Sequence, residues 1–133
     1  MQMRQIFGTW IGVAPVKSLD LRTALEYVQT VPETVAEPGT NGSVTESQRL
    51  LDAPEFVTVK RELEQLALEY VHLQGHRVHS VQIGNSWGNT LKHNEPIHMH
   101  THPNKKANGV YPTTPSAPLK IHNPLTTENP SIY

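Results

Sequence analysis

Three histidines alternate along the stretch Pro96-Ile97-His98-Met99-His100-Thr101-His102-Pro103-Asn104. In an extended strand, successive side chains point to opposite faces. His98, His100 and His102 then share one face, with Ile97, Met99 and Thr101 on the other. Neutral imidazole is a good ligand for iron, zinc, copper or nickel, and a His-x-His pair on a strand presents two imidazoles to one ion. A flat strand separates residues i and i+4 by about 13 Å, so His98 and His102 cannot both reach the same ion. The workable pairs are His98/His100 and His100/His102. We favour His100 and His102 as metal ligands, because Pro103 ends the strand just beyond them and places the pair at a sheet rim. His98 is a further candidate, and so is His122, the one distant histidine on a predicted strand. A third ligand must come from elsewhere in the molecule. The competing explanation is a solvated polar strand face, and three histidines in alternation weigh against it. His72, His76 and His79 are scattered around a predicted helix end and read as surface or capping groups, and His93 reads as a turn residue.

Other site chemistries are poorly represented. There is no His-Glu-x-x-His helix motif, no Gly-rich phosphate loop and no Ser/His/Asp arrangement. Lys105-Lys106 reads as an exposed pair in a turn. A cupin domain carries His-x-His followed by a glutamate ligand, whereas the first acid after His102 is Glu128. The cupin pattern therefore fails at its third ligand, and a cupin-like metal-binding protein stays as a secondary alternative.

The elements that must position the histidines follow from periodicity. Ile6 to Val16 reads as an extended lead-in or edge strand. Ser18 or Asp20 can cap a short helix carrying Leu21, Leu25 and Val28, closed by Pro32. Residues 32–46 read as a polar loop. Asp52-Ala53-Pro54-Glu55 resembles a capping box. Behind it, Phe56, Val59, Leu63, Leu66, Ala67, Tyr70 and Leu73 recur at helical spacing and predict a helix packed on a sheet, with Gly75 as its stop. From Arg77 the period changes to two, through His79, Val81 and Ile83 to Ser86-Trp87-Gly88-Asn89. A Lys92-His93-Asn94-Glu95 turn leads into the histidine strand. Asn108-Gly109-Val110-Tyr111 and Leu119-Lys120-Ile121-His122 predict two more short strands. The expectation is one α+β domain over 1–133, with residues 1–76 a mainly helical lead-in and 77–133 an antiparallel β region.

Bulk properties set limits on function. The 133 residues carry 11 basic and 12 acidic side chains, for a formal net charge of −1. That balance gives no electrostatic reason to expect nucleic acid or an anionic membrane as partner. There is no cysteine, which rules out disulfides and thiolate metal sites. The 11 prolines are concentrated from Pro96 onward, favouring strands and turns there over helix. No signal peptide and no membrane-length apolar run is apparent, so the expected location is neither secreted nor membrane-bound.

Four segments in order then suggest a family: Ser86-Trp87-Gly88-Asn89, His100-Thr101-His102-Pro103-Asn104, Asn108-Gly109-Val110-Tyr111 and Asn123-Pro124. The series resembles the 2-oxoglutarate/Fe(II) oxygenases of phages, especially cyanophages. The Leu50-Leu51 and Pro54-Glu55-Phe56 region is similar to their N-terminal part, so the resemblance spans most of the chain. It implies N-terminal helices packed on an antiparallel double-stranded β-helix, a jelly-roll or cupin-like fold. It also implies Fe(II) on a facial ligand set with 2-oxoglutarate as co-substrate, in a hydroxylation whose substrate is unknown, small molecule or protein. Carried over residue by residue, His100 and His102 match the metal-site positions. Trp87, Asn89 and Tyr111 match residues lining the pocket, and Asn104 matches a residue supporting the ligands. A phage protein would work in the host cytoplasm or in the virion.

Two departures bear on this resemblance. Pro112 stands where the family has the second tyrosine of Ser-Gly-Val-Tyr-Tyr, which removes a ladder donor. No arginine follows Arg77, although the family uses a distal histidine and an arginine that holds the co-substrate carboxylate. The expectation is therefore an incomplete β-helix lacking the family's C-terminal part, whose missing groups are lost or supplied by another chain. The contrasting expectation is a non-catalytic phage structural or interaction module that associates with itself or with a virion partner through open sheet edges.

Overall fold

The structure, a computed structural model, describes residues 1–18, 21–35, 42–92, 95, 109–110, 121–122 and 131–132. The chain divides into two compact units, Met1–His98 and Met99–Tyr133.

The first unit opens on an antiparallel hairpin of β1 (Gln2–Ile6) and β2 (Thr9–Val13), in register from Gln2 opposite Val13 to Ile6 opposite Thr9. Its two-residue loop is Phe7-Gly8, both at positive φ (52° and 77°). Two left-handed residues in a two-residue loop match the right-handed twist of the flanking strands. The single extended lead-in expected from Ile6 to Val16 is thus corrected to a hairpin. Phe7 gave no warning, because a bulky residue seldom adopts positive φ.

Helix α1 (Leu21–Thr30) follows and ends before Pro32, as expected. Ser18 does not serve as its cap: its hydroxyl donates to the Glu62 carboxylate. Asp20, the other expected cap, lies outside the described residues. The expected polar loop over 32–46 is also corrected. Glu33–Val35 forms β3 and Ser43–Thr45 forms β4, paired antiparallel. β4 pairs on its other side with β5 (Asn89–Thr90), making a three-stranded sheet. The mainly helical lead-in expected over residues 1–76 therefore holds four of the strands.

Two 3-10 turns, Leu50–Asp52 and Pro54–Phe56, lead into helix α2 (Val57–Leu73). The expected capping box is not formed, since no side chain caps the start of α2. The Asp52 carboxylate instead accepts from Lys60 Nζ at 2.6 Å and from Arg49 Nε. Those two bonds, Lys60 first, hold its carboxyl below the usual range. The C-terminus of α2 behaves as the sequence predicts. Gly75 sits at φ 84°, its N–H donates to the His72 carbonyl (2.8 Å), and the His76 N–H donates to the Val71 carbonyl (3.1 Å). That pair of bonds is a Schellman motif, in which a left-handed residue ends the helix at little cost when it is glycine.

The core of this unit joins Ala24, Leu50, Phe56 and Val59, with Val16, Tyr27, Val28, Val31, Leu51, Ala53 and Leu63 packed around them. Tyr27 meets Phe56 edge to face, ring centres 4.9 Å apart at 84°, an arrangement worth about 0.5–1.5 kcal/mol beyond its buried area. The predicted α2 stripe is largely inward, with one exchange at its end: Leu73 is exposed and Val71 is buried. Because 3.6 residues make a turn, the inward face drifts past a strict three-four spacing. Tyr70 donates its hydroxyl to the Trp10 carbonyl at 2.7 Å, which ties α2 to β2.

The strand expected from Arg77 is corrected as well. No ladder forms over residues 77–85, although half-buried Val81 and Ile83 alternate with exposed Ser80 and Gln82. The Ile83 N–H donates to Glu64 (3.1 Å) instead of to a strand. The Glu95 N–H to Lys92 carbonyl bond (3.1 Å) fits the expected turn.

In the second unit, β6 (Ile121–His122) pairs antiparallel with β7 (Ser131–Ile132), in the region where a strand was expected. Of the strand expected over 108–111, the two described residues, Gly109 and Val110, are not in a strand. Helices and small antiparallel sheets together make the described structure α+β, and among the described residues no sheet closes into a barrel.

Two predictions follow from these contacts. The Glu62 carboxylate accepts from the Lys17 and Ser18 amides at 2.7 Å each and from the Ser18 hydroxyl. The Lys17 amide, then the Ser18 hydroxyl and amide, hold its pKa below the ordinary 4.5. A depressed carboxyl pKa adds stability that is fully present above the unfolded value and is lost as pH falls through the folded one. Thermal melts from pH 6 down to pH 3 should therefore show a smaller acid-induced drop in Tm for Glu62→Ala than for the unaltered protein. An equal drop in both would rule out this linkage. Gly42 lies at φ 80°, where an added Cβ would meet the Thr90 carbonyl and, at 2.8 Å, Leu91 Cδ2. Gly42→Ala should lower unfolding free energy by about 1–3 kcal/mol in urea titration.

Candidate functional site

Of the predicted pocket residues, Trp87 and Asn89 are described, and they flank Gly88, whose N–H and carbonyl are both bonded to Thr45. Thr45, at the end of β4, is completely buried (0% exposed). The Thr45 N–H donates to the Gly88 carbonyl at 3.0 Å. The Gly88 N–H returns a bond to Thr45 Oγ1 at 3.1 Å. The Thr45 hydroxyl proton goes to the Ser47 carbonyl, also at 3.1 Å. A hydroxyl offers one donor and two acceptor lone pairs, and here it works in both senses. Burial of this polar side chain is therefore compensated, as it must be to avoid a desolvation penalty.

Ser86 is anchored on the other side of Trp87. Its N–H donates to the Gln48 carbonyl (2.9 Å), and its own carbonyl accepts the Leu50 N–H (3.0 Å). Its Oγ accepts the Leu51 N–H at 2.9 Å. Arg49 and Ser86 thereby form a parallel bridge outside the named strands. Gly88 sits close to Val28, Thr45 and Leu50, where a Cβ would lie 3.4–3.7 Å from their side chains. Trp87 is held between these two fixed residues with 36% of its surface exposed. Asn89, also exposed, continues into β5 opposite Val44.

Two carboxylates complete the frame. Glu33 on β3 accepts from the Ser43 hydroxyl (2.6 Å) and from the Thr90 hydroxyl (2.7 Å), spanning all three strands of the sheet. Those two bonds, Ser43 first, lower its pKa. Glu95 accepts from the Gly42 N–H (3.1 Å) and the Lys92 N–H (3.0 Å), closing the loop beyond β5.

The remaining predicted residues fall elsewhere. His98, His100, His102, Asn104 and Tyr111 lie outside the described residues. His122 is on β6, opposite Ser131. His72, His76 and His79 gather with Arg77 at the end of α2, where His72 Nε2 is 2.8 Å from the Val78 carbonyl. Val78 lies beyond the helix, so this contact caps none of its carbonyls, and all three side chains are exposed, in keeping with the surface alternative expected of them. Among the described residues, no group of three or more His, Asp or Glu side chains is placed to hold a metal ion. None of the helices described is long and apolar enough to cross a membrane.

Sequence reasoning missed Thr45 and the role of Ser86. Thr45 was placed in a polar loop, and its burial depends on Gly88, 43 positions away. The one local signal was Ser-Val-Thr, a short β-prone run inside otherwise turn-rich sequence.

No family model, curated protein or solved structure matches this chain.

The bonds at Ser86 generate a prediction. Ser86→Ala leaves the part-buried Leu51 amide without its acceptor, which should cost about 1–3 kcal/mol in urea unfolding. A change below about 0.5 kcal/mol would show that water replaces the hydroxyl freely.

Proposed function

We propose that this chain is a metal-binding protein of the 2-oxoglutarate/Fe(II) oxygenase type, with His100 and His102 supplying two imidazole ligands. The observation that carries this reading is the ordered series Ser86-Trp87-Gly88-Asn89, His100-Thr101-His102-Pro103-Asn104, Asn108-Gly109-Val110-Tyr111 and Asn123-Pro124. The bonding around Ser86 and Gly88 supports it, because the first motif of the series occupies a segment whose backbone is fixed on both sides of Trp87. Side chains that must meet a substrate in one orientation gain from such preorganisation.

When bound, Fe(II) and 2-oxoglutarate activate O₂ for hydroxylation of a C–H bond. The chain's own contribution is to hold the metal through neutral imidazoles, with Trp87, Asn89, Asn104 and Tyr111 as the further residues assigned by the resemblance. On this reading the β region belongs to a double-stranded β-helix, and the protein acts in a phage-infected host cell or in the virion. Its substrate, small molecule or protein, is left open.

Anaerobic titration with Co(II), a spectroscopic stand-in for Fe(II), tests the reading. Because imidazole must be neutral to ligate, affinity should fall as pH drops through about 6.5. His100→Ala and His102→Ala should each weaken binding by about a hundredfold, at or beyond the loss caused by altering a supporting residue. His98→Ala and His122→Ala should change it less. Co(II) binding that ignores both His100 and His102 refutes the assignment. Binding that depends on both, without aerobic 2-oxoglutarate consumption in the presence of Fe(II), would instead favour a non-catalytic interaction module.

A further inference from the structure

We propose that Thr45 is a positioning residue: its buried hydroxyl fixes Gly88 and thereby sets the directions in which Trp87 and Asn89 leave the chain. The inference deepens the proposed function and rests on the reading that gives Trp87 and Asn89 a functional role.

The geometry points to the hydroxyl and not simply to the bulk of the side chain. A threonine packed for its shape alone would be replaceable by valine, which matches it in outline. Here Oγ1 accepts the Gly88 N–H and donates to the Ser47 carbonyl, both at 3.1 Å. The Thr45 main-chain N–H adds a bond to the Gly88 carbonyl at 3.0 Å. Gly88 is therefore held at both its donor and its acceptor by one residue. Trp87 and Asn89 flank Gly88 directly, so their Cα–Cβ vectors are set by the peptide planes that Thr45 holds. The other anchor, Ser86, fixes only the N-terminal side of Trp87. Without the Thr45 hydroxyl, the part-buried Gly88 N–H loses its acceptor beside the side chains of Val28 and Leu50. A buried donor left unpaired is costly enough to drive a local backbone rotation. Trp87 and Asn89 would turn with it.

Two opposite substitutions separate positioning from packing. Thr45→Val keeps the shape and deletes the hydroxyl, and Thr45→Ser keeps the hydroxyl and deletes the methyl. Both are made with Trp10→Phe, so that Trp87 is the only tryptophan. The readouts are Trp87 emission, acrylamide quenching of that emission, Tm, and 2-oxoglutarate consumption with Fe(II). Positioning through the hydroxyl predicts altered emission and roughly twofold stronger or weaker quenching in Thr45→Val, with Thr45→Ser like the parent at both. Packing alone predicts the reverse, with Thr45→Ser perturbed and Thr45→Val unchanged, and that result overturns the inference. Unchanged Trp87 signals in both variants overturn it too. If Thr45→Val does not fold, amide exchange in the unaltered protein decides. Gly88 should then exchange on the order of a hundredfold more slowly than the amide of exposed Gln82, and equal rates overturn the inference. Where the parent consumes 2-oxoglutarate, Thr45→Val should lose at least about fivefold in rate and Thr45→Ser should retain it. Absence of consumption in the parent counts against the oxygenase reading alone, since Trp87 emission and Gly88 exchange still report on Thr45.

Discussion

The two-way bond between Thr45 and Gly88 is the constraint on which the first unit depends. It joins the end of β4 to a segment 43 residues later, and it does so with a polar side chain that is entirely out of water. Once it is made, the neighbouring connections follow in register. Asn89 and Thr90 fall opposite Val44 and Ser43, and Ser86 falls beside Arg49 and accepts the amides that open the 3-10 turn at Leu50. Leu50 in turn enters the apolar cluster with Ala24, Phe56 and Val59. Among the described residues the buried apolar cluster holds four side chains, and small cores are marginal, so the polar seam on its flank carries much of the specification. Buried polar contacts select one arrangement because every alternative leaves a donor or acceptor unpaired.

Carboxylates from α2 extend the same logic outward. Glu62 collects two amides and a hydroxyl from the approach to α1, and Glu64 takes the amide of Ile83. Neither segment is part of a sheet at these positions, so its amides have no ladder partner. The helix therefore organises its surroundings through its polar face as well as through its apolar stripe. Glu33 repeats the device on the sheet, bridging Ser43 and Thr90 across three strands.

How much could be read from the chain depended on how local each interaction is. The α2 helix and its Gly75 stop were legible, because apolar spacing and a left-handed C-terminal glycine act within a few residues. The end of α1 before Pro32 was legible for the same reason. The Phe7-Gly8 hairpin was not, since a phenylalanine at positive φ contradicts its ordinary preference and the pairing of β1 with β2 has to outweigh it. Asp52 had the spacing of a capping box, but Lys60 and Arg49 compete for its carboxylate and win. Period-two alternation around Val81 and Ile83 is matched by their half-burial, whereas His79 of the same set is exposed. It could not foretell that no strand would lie alongside.

Read alone, the chain carried the two α-helices, their stops, its lack of cysteine and its set of histidines. These follow from composition and from interactions between residues close in the chain. Only the tertiary structure decided that Thr45 leaves a polar stretch to become the most buried residue described. It also decided that Glu33–Val35 and Ser43–Thr45 pair into a sheet, and that Trp87 is held from both sides. The physical reason is that burial of a polar group is favourable only when its partners arrive with it. For Thr45 the decisive partner, Gly88, lies 43 residues further along the chain.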